Sequence, residues 1–204
     1  MGALEGSLSF KSYYVDGEPP NDFHADYLKR LQRGAFEPLS PVGDDERHVG
    51  WVSVQHPLQS EFRREDIFFN QYILFGMRID KWALPSTWLK ALIKQETELR
   101  FAGQDVKISK RVKDEIKAEV VLALRQKTLP TMKLIDIVWN IAEHQLRFWS
   151  NSKAESEEFE EFFEETFDLR LRPESPYTMA EFLGFEQKAL DKMLSATPWM
   201  LQPL

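Results

Sequence analysis

From Ile73 to Asp80 apolar and polar or small positions alternate: Ile73, Phe75, Met77 and Ile79 interleave with Leu74, Gly76, Arg78 and Asp80. A period of two puts one set on each face of a strand, and Phe68, Phe69 and Tyr72 strengthen it, so the pattern predicts a strand from Ile67 to Asp80. The same period returns between Met132 and Trp149, where Ile135, Ile137 and Trp139 oppose Leu134, Asp136 and Val138, and predicts a hairpin turning through Asn140 to His144. Shorter extended segments are predicted at Leu8–Val15, closed by Asp16-Gly17-Glu18-Pro19-Pro20, at His48–Val54 and at Asp168–Pro173.

A period of three to four marks the helices. Asn21 or Asp22 caps the first, which carries Phe23, Tyr27, Leu28 and Leu31 on one side and ends at Gly34. Pro85-Ser86 opens a second with Leu89, Leu92, Ile93 and Leu99 on its inner stripe, ended by Gly103, and a third runs from about Val106 to Lys127. Ser152-Lys153-Ala154-Glu155 reads as a capping box before a helix with Phe159, Phe162, Phe163 and Phe167 on one face and glutamates around it. Thr178-Met179-Ala180-Glu181 offers another box for a C-terminal helical piece. Hairpins and amphipathic helices in this arrangement predict an α+β fold, a mainly antiparallel sheet covered on one side by the helices beginning near Ser86, Val106 and Ser152. The chain reads as a single unit over 1–204, or as two packed subdomains over about 7–80 and 81–204, without an internal repeat.

Composition then limits the chemistry. With 204 residues and 43% apolar side chains, the chain is long enough to bury a core unaided by metal or disulfide. No cysteine occurs, which excludes disulfides, thiolate zinc sites, iron–sulfur ligation and a cysteine nucleophile. The sequence has no glycine-rich phosphate loop of the P-loop or dinucleotide type and no nucleophile elbow, and His24, His48, His56 and His144 lack metal-ligand spacing. No cofactor or metal is therefore expected. Apolar runs such as Tyr72–Met77 are too short to span a bilayer, and Met1 to Gly6 lack the features of a signal peptide, so the expected location is the cytoplasm.

A net charge of -7 argues against a simple polycation, but the charge is unevenly spread. Between Arg78 and Lys133 there are 13 bases against 7 acids, so a basic segment sits inside an acidic chain. On a helical wheel Lys107, Lys110, Arg111, Lys113, Lys117 and Arg125 share one arc, while Ile108, Val112, Ile116, Val120 and Ala123 share another. A row of flexible cations can meet successive phosphates without reading bases, which makes these six the candidate DNA-binding residues. The same pattern also describes the wet side of an ordinary amphipathic helix. An enzymatic alternative lies in Asp114-Glu115-Ile116-Lys117, since a magnesium-dependent nuclease can use two acids near a lysine. A third reading is a protein-interaction module, in which the acidic helix from Glu155 to Glu165 or the apolar tail at Trp199-Met200-Leu201 meets a partner.

Four short segments carry a resemblance: Gly50-Trp51-Val52, then Leu84-Pro85-Ser86 opening a helix, then the lysine-rich helix through Lys113-Asp114-Glu115-Ile116-Lys117-Ala118-Glu119-Val120, then Leu134-Ile135-Asp136 opening a hairpin. In that order the chain, from Leu8 to about Pro173, resembles the RdgC family of recombination-associated proteins, which also carries an exonuclease label. The resemblance implies an α+β protein that forms a homodimeric ring around double-stranded DNA, acidic outside and basic within, binds without sequence preference and limits the RecA recombinase. It implies nucleoid association, and it adds Arg78, Lys90 and Lys94 to the DNA-facing candidates beside Lys107, Lys110, Arg111, Lys113 and Lys117. RdgC-like chains continue past the segment that here ends at Leu204, so the resemblance is to a C-terminally shortened member, for which a closed ring, an open clamp, another oligomer or a monomer are all open.

Overall fold

The chain runs β1 (Lys11–Asp16), α1 (Phe23–Arg33), β2 (Arg47–Val52), α2 (Arg64–Ile67), β3 (Phe68–Phe69), β4 (Tyr72–Lys81), α3 (Ser86–Arg100), α4 (Lys110–Arg125), β5 (Thr131–Asn140), β6 (Gln145–Phe148), α5 (Lys153–Phe167), β7 (Arg170–Pro173), α6 (Pro176–Phe182) and α7 (Gln187–Ser195) in the computed structural model, which describes residues 2–4, 9–102 and 108–195. The strands form one sheet in the order β2-β4-β5-β6-β1-β7, with β3 also paired to β4, and every ladder is antiparallel. The fold is α+β. Strands from both halves of the chain contribute to this single sheet. No described helix is long and apolar enough to cross a membrane.

Alternation along the strands decides which face is buried. Ile73, Phe75, Met77, Ile135, Ile137 and Trp139 stand on the same side as Tyr13, Trp51, Leu146 and Phe148, and α1 and α5 close over them with Tyr27, Leu31, Phe159, Phe163 and Phe167. Aromatic rings dominate this layer. Phe148 stacks on Phe159 at 4.2 Å, and Trp51 stacks on Phe162 at 4.2 Å while its indole N–H donates to Thr166 Oγ1 at 2.9 Å, so the ring's polar edge is satisfied where it is buried. Gly50 is required by the opposite face, because a Cβ there would overlap the backbone of Phe36, which crosses directly above it.

Four local expectations are corrected. The stretch from Ile67 to Asp80 is not one strand: Ile67 ends the single turn of α2, and Asn70, at φ 54°, turns β3 back onto β4, a conformation that asparagine tolerates. Ser152 caps α5 by accepting from the Glu155 N–H, but the Glu155 carboxylate turns instead to Ser150 Oγ and Lys133, so the box is not closed. Near the C-terminus the reciprocal box is Ser175 with Thr178, two hydrogen bonds that start α6 before Thr178 rather than at it. Finally, of the three helices expected to cover the sheet only the one beginning near Ser152, α5, does so, together with α1, whereas α3 packs chiefly on α4 and buries no residue. Leu89, Leu92 and Ile93 of α3 are half-buried, and Trp88 and Leu99 are each 67% exposed.

Candidate nucleic-acid interface

Helices α3 and α4 form an arm that leaves the sheet after β4 and returns to it at β5. Ser109 starts α4 by accepting from the Val112 N–H, and Ile116, fully buried, is the apolar anchor of the helix. The Arg100 guanidinium bridges Glu96 on its own helix and Glu119 on α4, tying the two helices together. Those hydrogen bonds raise the Arg100 pKa and lower that of Glu119.

The predicted cations divide into three groups. Lys110, Lys113 and Lys117 are exposed and make no ion pair among the described residues. Their spacing of three and four residues aligns them on one side of α4 over about 10 Å. Arg111 is also exposed, but its guanidinium holds Glu115 at 3.0 Å. Arg125 departs from the expectation of an open basic face. It is only 8% exposed, donates to the Gly43 carbonyl at 2.8 Å, lies over the Trp82 ring and reaches Glu46 at 3.9 Å. At the end of α4 the same wheel angle that points to solvent higher up meets the loop before β2, so Arg125 fastens that loop. Lys107 and the Trp199-Met200-Leu201 tail lie outside the described residues.

Of the cations added by the resemblance, Lys94 pairs with Glu98 at 3.7 Å and Lys90 is exposed. Arg78 does not face outward. It grips Asp80 with two hydrogen bonds of 2.9 and 2.6 Å, donates to the Pro57 carbonyl and covers the Phe36 ring at 4.1 Å. Asp80 is 1% exposed, so this ion pair is internal and pins the segment before α2 to the sheet.

The carboxylates proposed for metal chemistry do not converge. Asp114 and Glu115 project about 100° apart around α4, with Glu115 engaged by Arg111 and Asp114 lining a gap of about 510 Å³ beside Asp44, Glu46 and Lys117. Among the described residues no group of three or more histidines or carboxylates could hold a metal ion. The acidic loop shares this gap with Lys117, so the basic side of α4 has a negative border.

One buried acid was not singled out by the sequence. Asp136 is 5% exposed on β5, and its Oδ2 accepts the Ala3 N–H at 2.6 Å without an ion pair among the described residues. Burial raises its pKa above the ordinary 3.8, opposed by that hydrogen bond. With the folded value above the unfolded one, the ionised carboxylate disfavours folding once the pH passes the ordinary range, and the penalty is absent below it. Asp136→Asn keeps an acceptor for Ala3 without the charge. It is expected to raise the melting temperature by a few degrees at neutral pH and by nothing near pH 3, as measured by thermal unfolding across that range.

No individually curated protein matches the chain. The family model described as "Putative exonuclease, RdgC" matches residues 17–182. That span starts just after β1 and ends with α6, taking in the whole arm and every strand but β1; the chain belongs to the RdgC family.

Proposed function

We propose that this protein is a recombination-associated DNA-binding protein that holds double-stranded DNA without reading its sequence. The observation that carries the reading is the row of Lys110, Lys113 and Lys117 on a projecting arm, exposed and free of carboxylate partners among the described residues. Lysines on flexible stems meet phosphates as point charges, and the row supplies no planar side chain for base-edge recognition in the major groove. The arm also presents Trp88 and Leu99, and the far end of the chain presents Phe182, Leu183, Phe185 and Leu194, as exposed apolar surface. These are the surfaces we assign to homodimer contacts, by which two basic arms would face the same duplex. Occupied duplex is closed to a RecA-type recombinase, and nucleoid association follows from the same binding.

Titrating labelled duplexes of unrelated sequence at increasing salt tests this. Binding is expected to fall linearly in log–log form with a common slope for all sequences. Absence of binding at low salt would overturn the reading, and so would a strong preference for one duplex.

A further inference from the structure

The exposed side of α1 carries a groove that the DNA reading does not use. Its volume is about 630 Å³, and it is lined by Ala25, Leu28, Lys29, Gln32, Arg33 and Phe62. The first five fall on one stripe of α1, at the helical intervals that align side chains along a face. Phe62 reaches this stripe from the segment before α2, and the contact is built. The Gln32 side chain donates to the Ser60 carbonyl at 3.0 Å and accepts the Phe62 N–H at 3.1 Å, while Ser60 Oγ donates to the Phe36 carbonyl at 2.9 Å. Three bonds thus hold the aromatic wall in place without any ligand.

The groove has an apolar floor and a cationic rim. Leu28 and Phe62 are half-buried, whereas Lys29 and Arg33 are exposed. Neither cation forms an ion pair among the described residues, because the one nearby acid of α1, Asp26, is taken by Arg30 at 2.6 Å. Among the described residues no carboxylate lines the groove, and on the segment that carries Phe62 the exposed Arg63 and Arg64 lie between the exposed Glu61 and Glu65, so the cationic character of the rim rests on Lys29 and Arg33.

We propose that this groove docks a short acidic peptide segment of a partner protein, carrying an aliphatic or aromatic side chain between its carboxylates. The apolar side chain enters against Leu28 and Phe62, and the flanking carboxylates meet Lys29 and Arg33, which stand one turn apart on the helix. A groove of this form suits a linear segment better than a nucleic-acid strand. Sequence-tolerant nucleic-acid binding stacks successive bases on several aromatic faces, and Phe62 is the one aromatic side chain lining this site. Charge complementarity at the rim supplies orientation and rate of encounter, and the buried apolar side chain supplies residence.

The test uses the whole protein and a fluorescein-labelled hexapeptide, Asp-Asp-Leu-Phe-Asp-Asp, read by anisotropy. Saturable binding is expected, weakened about tenfold or more when every aspartate of the peptide becomes asparagine or when its Leu-Phe centre becomes Ser-Ser. Lys29→Glu with Arg33→Glu is expected to abolish it, with an unchanged circular dichroism spectrum because both side chains are exposed. Lys110→Glu with Lys113→Glu on α4 is expected to leave peptide binding intact, which separates this site from the DNA reading. The proposal is overturned if the acidic peptide does not saturate, if the two control peptides bind equally well, if the α4 variant loses the peptide, or if a short thymidine oligonucleotide displaces it.

Discussion

Reversing Lys110, Lys113 and Lys117 to glutamate together is expected to weaken duplex binding by about 10²–10³-fold near roughly 0.1 M salt, and to flatten the slope of log affinity against log salt by about three. The size follows from counterion release. Each lysine seated on a phosphate displaces nearly one condensed cation, so three contacts in dilute salt are worth roughly this factor, and the new carboxylates add repulsion. The loss should be the same for every duplex sequence, since none of the three reads a base edge. Folding should not suffer, because all three side chains are exposed and none has a carboxylate partner among the described residues. Anisotropy titrations of wild type and variant at several salt concentrations, beside a thermal melt, measure both quantities. An unchanged slope would remove α4 from the interface.

The largest effect on stability is expected at Asp80. Asp80→Ala leaves Arg78, whose side chain is only 12% exposed, without its carboxylate, and breaking such a pair from one side costs about 3–5 kcal/mol. The Arg78 guanidinium would keep its bond to the Pro57 carbonyl and its place over Phe36, but the charge would have no counterion. For a chain of this length the melting temperature should drop by roughly 10 °C or more. The double variant Arg78→Met with Asp80→Leu is expected to recover much of the loss, because an apolar pair of similar volume carries no desolvation cost. Chemical unfolding of the two variants and the parent gives the comparison directly. If Asp80→Ala melts like the wild type, the pair is not the fastening described above.

Much of the fold was legible because its elements are strongly periodic. The phenylalanine stripe of α5 and the alternation across β5 and β6 each contain enough repeats to exclude the competing period. The internal pairing of Arg78 with Asp80 was readable in principle, since residues two apart on a strand share a face. Arg125 was not readable. On the wheel it is equivalent to Lys107, and only partners far away in sequence, the Gly43 carbonyl, the Trp82 ring and Glu46, make it structural. The covering role of α5 was legible from its phenylalanines, but that of α3 and α4 was misassigned for a similar reason: their stripes look like core-facing stripes, and a wheel does not say whether the partner is a sheet or another helix. The α1 groove depends on Gln32 reaching Ser60 and Phe62, a contact between segments with no local signal.

Lys81 and Thr131 pair directly across the β4–β5 ladder, yet 49 residues lie between them. In polymer terms the arm is a long insertion into what would otherwise be a tight β-hairpin, and closing so long a loop rather than a two-residue turn costs about 3 kcal/mol of chain entropy. The ten paired positions of that ladder, from Tyr72 with Asn140 to Lys81 with Thr131, have to offset this before the arm contributes anything. The arm therefore hangs from a neck of paired strands whose closure is backed by the packing of α1 and α5 over the same sheet.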